Sequence, residues 1–315
     1  MSSINTNTSA MNALATLRNV NSNLGTTQDR ISTGLKVSSG KDNAAYFAIS
    51  ETMKGDSGMT KAVNESLTLT KNSVATARLG AEQFSDLATE FRDKVAFAQE
   101  NKGGLDEIES DLTRLVADMK AIMEQSTFNG DDLVNAAQSN NAATPADATA
   151  LVIDGTGAET TASTSAAAGA REVITGISRS SAGALQTTKI NVSPVDLNAE
   201  YEKFAAISTS FSSRAGDATN GDTYLEAVLT LADEATQGTV DAATSLGQSE
   251  KSIERQQEFL TKLSDNLDSG VGAMVDANME EEAARLQALQ VQQQLASQSL
   301  SIANQAPQNI LSLFR

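Results

Sequence analysis

Apolar residues along this chain fall at alternating steps of four and three over long stretches. Val63, Leu67, Thr70, Val74, Ala77, Ala81, Phe84, Ala88, Phe91 and Val95 form one such series, the a/d seam of a coiled coil. After the turn "NKGG", Leu105, Ile108, Leu112, Leu115, Met119 and Ile122 repeat it. Two such segments with a short connection predict an antiparallel helical hairpin. Upstream, Leu14, Leu17, Leu24, Ile31 and Leu35 share one face of a first helix. That helix breaks at "STGLKVSSGKDNAA", where two glycines and a cluster of serines interrupt the pattern. Gly34, Gly40, Lys41, Asp42 and Asn43 are the candidate joint here: glycine permits backbone angles that β-branched residues do not, and serine can satisfy freed backbone groups locally.

From about Asn135 to Pro194 the periodicity stops and Ala, Ser, Thr, Asn and Gly dominate, with "ALVID" the clearest strand candidate. This region reads as a small inserted subdomain of short strands and loops, its Ser/Thr density as exposed polar loop rather than as a glycosylation tract. Helical pattern returns at about Asn198 to Phe211, and firmly from Leu225 through Leu229, Ala232, Thr239, Ala243, Leu246, Ile253, Leu260, Leu263 and Leu267. Thr236, Glu250 and Gln257 place polar groups in that seam, which fits a role in fixing register. "DSGVG" is expected to end this helix, and a last helix is expected from about Asn278 to Asn304, closed by Pro307.

The last helix carries two apolar stripes. Met279, Ala283, Leu286, Leu289, Ala296, Leu300 and Ala303 fall on one side, with Val291, Leu295 and Ile302 nearly opposite. One stripe can meet a partner within the chain; the second needs another surface. The plan is symmetric: helix, break, long coiled coil, insertion, long coiled coil, break, helix. Its two ends are expected to pair. Beyond them the apolar residues Ile310, Leu311, Leu313 and Phe314 crowd a terminus that is ordinarily polar.

Composition narrows the function. The chain has no His, no Trp and no Cys, and aromatics make up 4%. Apolar content carried by Ala with scattered Leu, Val and Ile suits long helices touching along narrow stripes, and predicts an elongated, mainly α rod with a small α/β or β insertion. Without His or Cys the usual catalytic bases, nucleophiles and zinc ligands are missing, and no GxxxxGK[ST] loop occurs. No enzyme activity, cofactor or metal is therefore expected. "DGTGAE" (154–159) lacks a full GxGxxG and reads as a turn, and "DATNGD" (217–222) lacks the glutamate of a calcium loop and reads as a helix start. The net charge of −17 disfavours nucleic acid as a partner. No run reaches the roughly 20 apolar residues of a membrane span. The first 20 residues also lack the basic and apolar regions of a cleaved signal peptide, so the chain is expected to be cytosolic or exported by another route.

Three segments carry a resemblance. "RISTGLKVSSGKDNAAYFAIS" (30–50), "STFNG" (126–130) and, most closely, "SIANQAPQNILSLFR" (301–315) resemble bacterial flagellin of an alphaproteobacterial-like kind, in the right order and over about the first 135 and last 90 residues. The resemblance implies a subunit that polymerises into the extracellular flagellar filament for swimming motility. In that family the terminal helices pair and line the inner tube, which would cover the apolar tail. It implies a tube-lining domain of 1–40 and 271–315, a rod of 41–134 and 196–270, and an outward insertion at 135–195. The polymer interface it suggests is Leu14, Leu17, Leu24, Ile31, Val291, Leu295, Leu300, Ile302, Ile310, Leu311, Leu313 and Phe314.

The implied partners are copies of this chain and other flagellins, the flagellar export apparatus, an export chaperone, the filament cap and host immune receptors. Export without a cleaved signal peptide is a family property and would explain the polar start. The segment read by the plant receptor corresponds to Asp29–Ser50; Lys41 and Asp42 match it, whereas Asn43 and Tyr46 depart from it. The animal-receptor motif aligns with Arg92, Asp93 and Lys94, of which the arginine alone matches. A hook-filament junction protein shares flagellin-like ends and is the nearest alternative. A chemoreceptor signalling hairpin would need neither the apolar tail nor "KDNAA".

Overall fold

The computed structural model describes residues 7–135, 152–161, 170–180 and 184–313, with the backbone alone described at 160–161 and 306–313. Its described helices are α1 (Thr8–Thr33), α2 (Ala44–Glu100), α3 (Leu105–Gln125), α4 (Leu197–Ser208), α5 (Phe211–Ala215), α6 (Gly221–Val275) and α7 (Met279–Leu313). The described strands form three antiparallel pairs: β1 (Thr127–Phe128) with β2 (Asp131–Asp132), β3 (Val152–Ile153) with β4 (Glu159–Thr161), and β5 (Arg171–Arg179) with β6 (Leu185–Val192). The chain divides into two compact units, Met1–Gly58 with Leu263–Arg315, and Met59–Lys262. The helices α2 and α6 contribute residues to both.

Helix starts are written in the sequence. Asn7 caps α1 by accepting from the Ala10 amide at 3.0 Å, and Asn43 caps α2 by accepting from Ala45 and Tyr46, each at 3.1 Å. Asp217 accepts from the amides of Thr219 and Asn220 at 2.9 and 2.8 Å, so "DATNGD" is the entry to α6. Asn278 accepts from Glu280 at 3.1 Å, and Glu280, Glu281 and Glu282 place negative charge in the first turn of α7, where the helix dipole favours it.

In the unit of 59–262, the expected seam residues Leu67, Val74, Ala77, Ala81, Phe84, Ala88, Phe91 and Val95 are all buried on α2. Facing them on α6 are Ala232, Thr239, Leu246, Ile253 and Leu260. The two half-buried polar seam positions each have a partner: Glu250 accepts from Arg78 Nε at 2.7 Å, and Gln257 donates to Thr68 Oγ1 at 2.9 Å. Helix α3 supplies Leu112, Leu115 and Met119, and α4 wedges Phe204 between the rings of Phe91 and Phe84, with centroids 5.0 and 6.2 Å away.

The hairpin β1–β2 turns through Asn129 and Gly130 at φ +52° and +78°, the paired positive angles that an Asn-Gly turn supplies. The strands of the middle region are anchored in this same core: Ile153, Val173 and Val192 are buried with the helical seam residues. The β5–β6 hairpin is the longest sheet element, and a register shift between Ile174 and Gly176 interrupts its alternation. Gln256 of α6 donates to the Thr175 carbonyl at 2.8 Å and holds it down. Of "ALVID", Val152 and Ile153 form β3 and Asp154 begins the turn that follows, while Ala150 and Leu151 lie outside the described residues. Asn198 to Phe211 is also two elements, because Ser210 at φ +59° separates α4 from α5.

In the other unit, two expected helix ends are corrected. The helix α6 runs through "DSGVG" to Val275. Gly270 serves close packing there, since a Cβ on it would stand 2.7 Å from Met53 Cε. Helix α7 likewise runs through Pro307 to Leu313. Proline cannot donate to the carbonyl four residues back, which is that of Ala303, and Asn7 Nδ2 donates to that oxygen at 2.7 Å. The acceptor released by Pro307 is satisfied from another helix, and α7 continues.

Candidate polymer interface

Helices α1 and α7 pack together. On α1 the seam is Ala10, Ala13, Leu17, Val20, Leu24, Thr27 and Ile31, with Val20 and Thr27 buried and the others half-buried. On α7 it is Glu282, Leu286, Leu289, Gln293, Ala296, Leu300 and Ala303, with Glu282, Leu289 and Ala296 buried. Of the anticipated interface residues, Leu17, Leu24, Ile31 and Leu300 thus sit half-buried on the seam between the two helices. Val20, Thr27, Glu282 and Gln293 were missed, although steps of three and four from Leu17 and Leu289 reach each of them. Ala283, expected on this stripe, is exposed; the seam passes through its acidic neighbour Glu282 instead. That carboxylate is tolerated because Arg30 Nη1 lies 3.1 Å from its Oε1, with Arg285 Nη1 at 3.5 Å.

Val291, Leu295 and Ile302 stand 55%, 60% and 65% exposed on the other side of α7, and Met11 and Leu14 are exposed on α1. Beside the seam runs a groove of about 450 Å³ lined by Ala13, Thr16, Val20, Gln292, Leu295, Ala296 and Ser299. An amphipathic helix pair with an uncovered apolar stripe and a groove next to it can dock further helices. The side chains of Ile310, Leu311 and Leu313 are outside the description, and Phe314 lies outside the described residues.

The candidate joint is held by hydrogen bonds. Gly34, at φ +73°, closes α1 with its amide donating to Arg30 O at 2.9 Å. Its carbonyl accepts from Ala277, and Lys36 and Val37 donate to Val275 O at 2.6 and 3.3 Å, so the two helix breaks pair as an antiparallel bridge. Val37, Val271 and Val275 form a small core beneath it. Asp42 Oδ2 accepts from the amides and hydroxyls of both Ser38 and Ser39, each at 3.1 Å. The Ser38 amide leads the contacts that lower the Asp42 carboxyl below its ordinary value. "KDNAA" thereby acquires a local reading: Asp42 ties the serine turn and Asn43 caps the next helix. Lys41 and Gly40 are exposed, and Gly34 is the position of the five that adopts a positive φ.

In the unit of 59–262, Arg92 pairs with Asp93 and Asp233, both at 3.2 Å, and Lys94 Nζ reaches Asp111 at 2.6 Å. Asp93 and Lys94 line an open cleft of about 530 Å³ with Asp86, Thr89, Glu90 and the exposed Phe97. Among the described residues no group of three or more His, Cys, Asp or Glu is placed to hold a metal, and no helix is long and apolar enough to cross a membrane.

Comparison with known proteins decides what these helix pairs belong to. Residues 4–139 match the family model of the bacterial flagellin N-terminal helical region, and residues 229–314 match that of the C-terminal helical region. The chain belongs to the flagellin family. It is 34% identical to a flagellin of Brucella melitensis biotype 1 over 319 residues, covering all of both chains. It is 33% identical to flagellin A of Rhizobium meliloti over 395 residues and 34% to flagellin C of Rhizobium meliloti strain 1021 over 347, again over the full length of each. The two flagellin family models bracket the middle strands and cover the elements that form the paired seams. The function is structural: the chain is a subunit of the extracellular flagellar filament and assembles with its own kind.

Proposed function

We propose that this flagellin polymerises through the uncovered faces of its terminal helix pair, with residues 1–40 and 271–315 forming the tube-lining layer, 41–134 and 196–270 the rod, and 135–195 the outward-facing part. The observation that carries this reading is the exposed stripe Val291, Leu295 and Ile302 on a helix whose opposite side is already packed against α1. Burying side chains of this size against neighbours is worth roughly 1.5–3 kcal/mol each, repeated at every subunit. Ile310, Leu311, Leu313 and Phe314 extend the same chemistry to the end of the chain. No catalytic role is assigned.

The same reading makes other flagellins, an export apparatus with its chaperone, and the filament cap the partners, with export independent of a cleaved signal peptide. Residues Gly34–Asn43 act as the joint between tube-lining and rod segments. Arg92, Asp93 and Lys94 are the candidate segment for the animal immune receptor. The ion pairs already held by Arg92 and Lys94 argue for weak binding, because docking there would desolvate or break them.

Triple substitution Val291→Ser, Leu295→Ser and Ile302→Ser tests the central claim. These side chains are exposed in the single chain, so helical content and thermal unfolding should be retained. Sedimentable filaments should not form under conditions that polymerise the parent. Normal filaments from the triple variant would remove this surface from the interface.

A further inference from the structure

The core beneath the Leu35–Asp276 bridge is small, and sulfur lies at its rim. Its buried members are Val37, Val271 and Val275, and Leu35, Phe47, Met53 and Met274 pack against them half-buried. Val271, Met274 and Val275 share one face of α6, and Phe47, Ser50 and Met53 share one side of α2 at steps of three. Met53 fits closely there. A Cβ on Gly270 would stand 2.7 Å from its Cε, so the terminal methyl of the thioether occupies the room that the glycine leaves. With so few buried side chains, each contact at the rim counts for more than in the extended core of the 59–262 unit.

An unbranched thioether suits such a site, because it is apolar and bends to fill a gap. It is also the group in this chain that a peroxide attacks, since there is no cysteine to compete for it. The sulfur lone pair attacks one oxygen of hydrogen peroxide, an S–O bond forms as the O–O bond breaks, and the other oxygen leaves as water. Sulfur loses two electrons and the peroxide gains them. The sulfoxide keeps the side chain's length but carries a polar oxygen that calls for a hydrogen-bond donor. On that side of α2 the buried hydroxyls of Ser50 and Ser57 already donate to Phe47 O and Asp268 Oδ1, at 2.9 and 2.7 Å. A hydroxyl has one proton to give, so neither can meet the new acceptor, and enclosing it without a partner is costly.

The other sulfurs stand differently. Met119 and Met123 are buried in the 59–262 unit, whereas Met11 and Met279 are exposed on α1 and α7. Met53 and Met274 are packed on a core without being sealed inside it. On the reading of Gly34–Asn43 as the joint, we propose that these two methionines are an oxidation-sensitive site: as sulfoxides they keep the core that braces the joint from closing. The core need not be formed in the unassembled chain. Sulfur oxidised beforehand meets the same obstacle whenever the subunit takes up this structure, and through the joint the loosened core acts on filament assembly.

Subunits from dissociated filaments are treated with hydrogen peroxide at a dose that fully oxidises Met279 in the parent and leaves Met119 and Met123 intact, as read from peptide masses. They are then freed of peroxide and set to polymerise. Met53 and Met274 should both carry the added oxygen. Sedimentable filaments should be lost, and in those that do form, peptides spanning 35–47 and 270–277 should exchange hydrogen faster than in untreated filaments. Met53→Leu with Met274→Leu keeps the apolar volume and removes both sulfurs, so treated and untreated subunits of this variant should assemble alike. Met11→Leu with Met59→Leu and Met279→Leu keeps the two sulfurs and should remain as sensitive as the parent; it decides alone if the first variant does not assemble. The proposal is overturned if Met53 and Met274 escape oxidation at that dose, or if the treated first variant is as impaired as the treated parent. It is equally overturned if the treated second variant gives filaments in full yield with unchanged exchange at 35–47 and 270–277. Full yield and parental curvature together with faster exchange there would keep the oxidation-sensitive site and count against the joint.

Discussion

Gly80 on α2 and Ser126 at the end of α3 meet with no room for a side chain between them: a Cβ on Gly80 would stand 1.8 Å from Ser126 Oγ and 2.5 Å from its Cβ. Ser126 cannot turn aside freely, because its hydroxyl donates to Ile122 O at 2.6 Å. Gly80→Ala should gain about 1 kcal/mol of helix propensity and lose about 1–3 kcal/mol to overpacking, a net loss visible in the denaturation midpoint. Ser126→Gly added to Gly80→Ala should recover most of it. If Gly80→Ala alone stabilises the chain, the close approach does not constrain the hairpin.

Phe204 tests the aromatic centre of the same unit. It is fully buried between Phe84 and Phe91, so Phe204→Ala should cost about 3–5 kcal/mol, measured by urea unfolding. Leu69 is 64% exposed on α2, and Leu69→Ala should stay within about 0.5 kcal/mol. Equal effects from the two would contradict the placement of the core.

How much of this was legible in the sequence varied with the kind of signal. The α2 seam from Val63 to Val95 could be read residue by residue because every step carried an apolar or small side chain. The α7 seam was misread at Ala283 because its true member, Glu282, is charged, and its partner Arg30 lies 252 positions away, beyond any local pattern. Pro307 was read as a stop for a similar reason: the donor that satisfies the released carbonyl belongs to Asn7, at the other end of the chain. The β5–β6 hairpin went unnamed because the shift at Ile174/Gly176 breaks the alternation by which strands are recognised. The middle region's anchoring through Ile153, Val173 and Val192 was likewise hidden, since isolated apolar residues in a polar stretch carry no period.

Asp42 predicts a pH dependence. Its carboxyl is lowered by hydrogen bonds that the unfolded chain lacks, first among them the Ser38 amide. A depressed folded value means that the turn's extra stability is fully present above the unfolded aspartate value of about 3.9 and is lost as pH falls through the still lower folded value. Carbon-detected titration of the Asp42 carboxyl should therefore give a midpoint below about 3.9. Ser38→Ala with Ser39→Ala removes the hydroxyl donors and should move it part of the way back up. A parent midpoint at or above the unfolded value would show that the four contacts do not persist in solution.

The two glycines of the break should behave differently, although the sequence treats them alike. Gly34 holds φ +73° as the residue that closes α1, and its carbonyl accepts from Ala277 across the bridge. A side chain there meets a backbone conformation that costs roughly 1–2 kcal/mol for an L-residue, and β-branching adds to it. Gly40 has no positive φ, and a Cβ on it would make ordinary contact with Phe47 at 3.7 Å. Gly40→Ala should leave stability and assembly close to the parent's. Gly34→Val should loosen the bridge, most visibly as faster hydrogen exchange at the Lys36, Val37 and Ala277 amides, while the seam residues from Leu67 to Val95 keep their protection. If Gly34–Asn43 is the joint of the filament subunit, Gly34→Val should also change filament curvature or prevent assembly. Electron micrographs showing parental curvature for Gly34→Val, together with the faster exchange, would separate the two ideas: the bridge would be real and the joint would not.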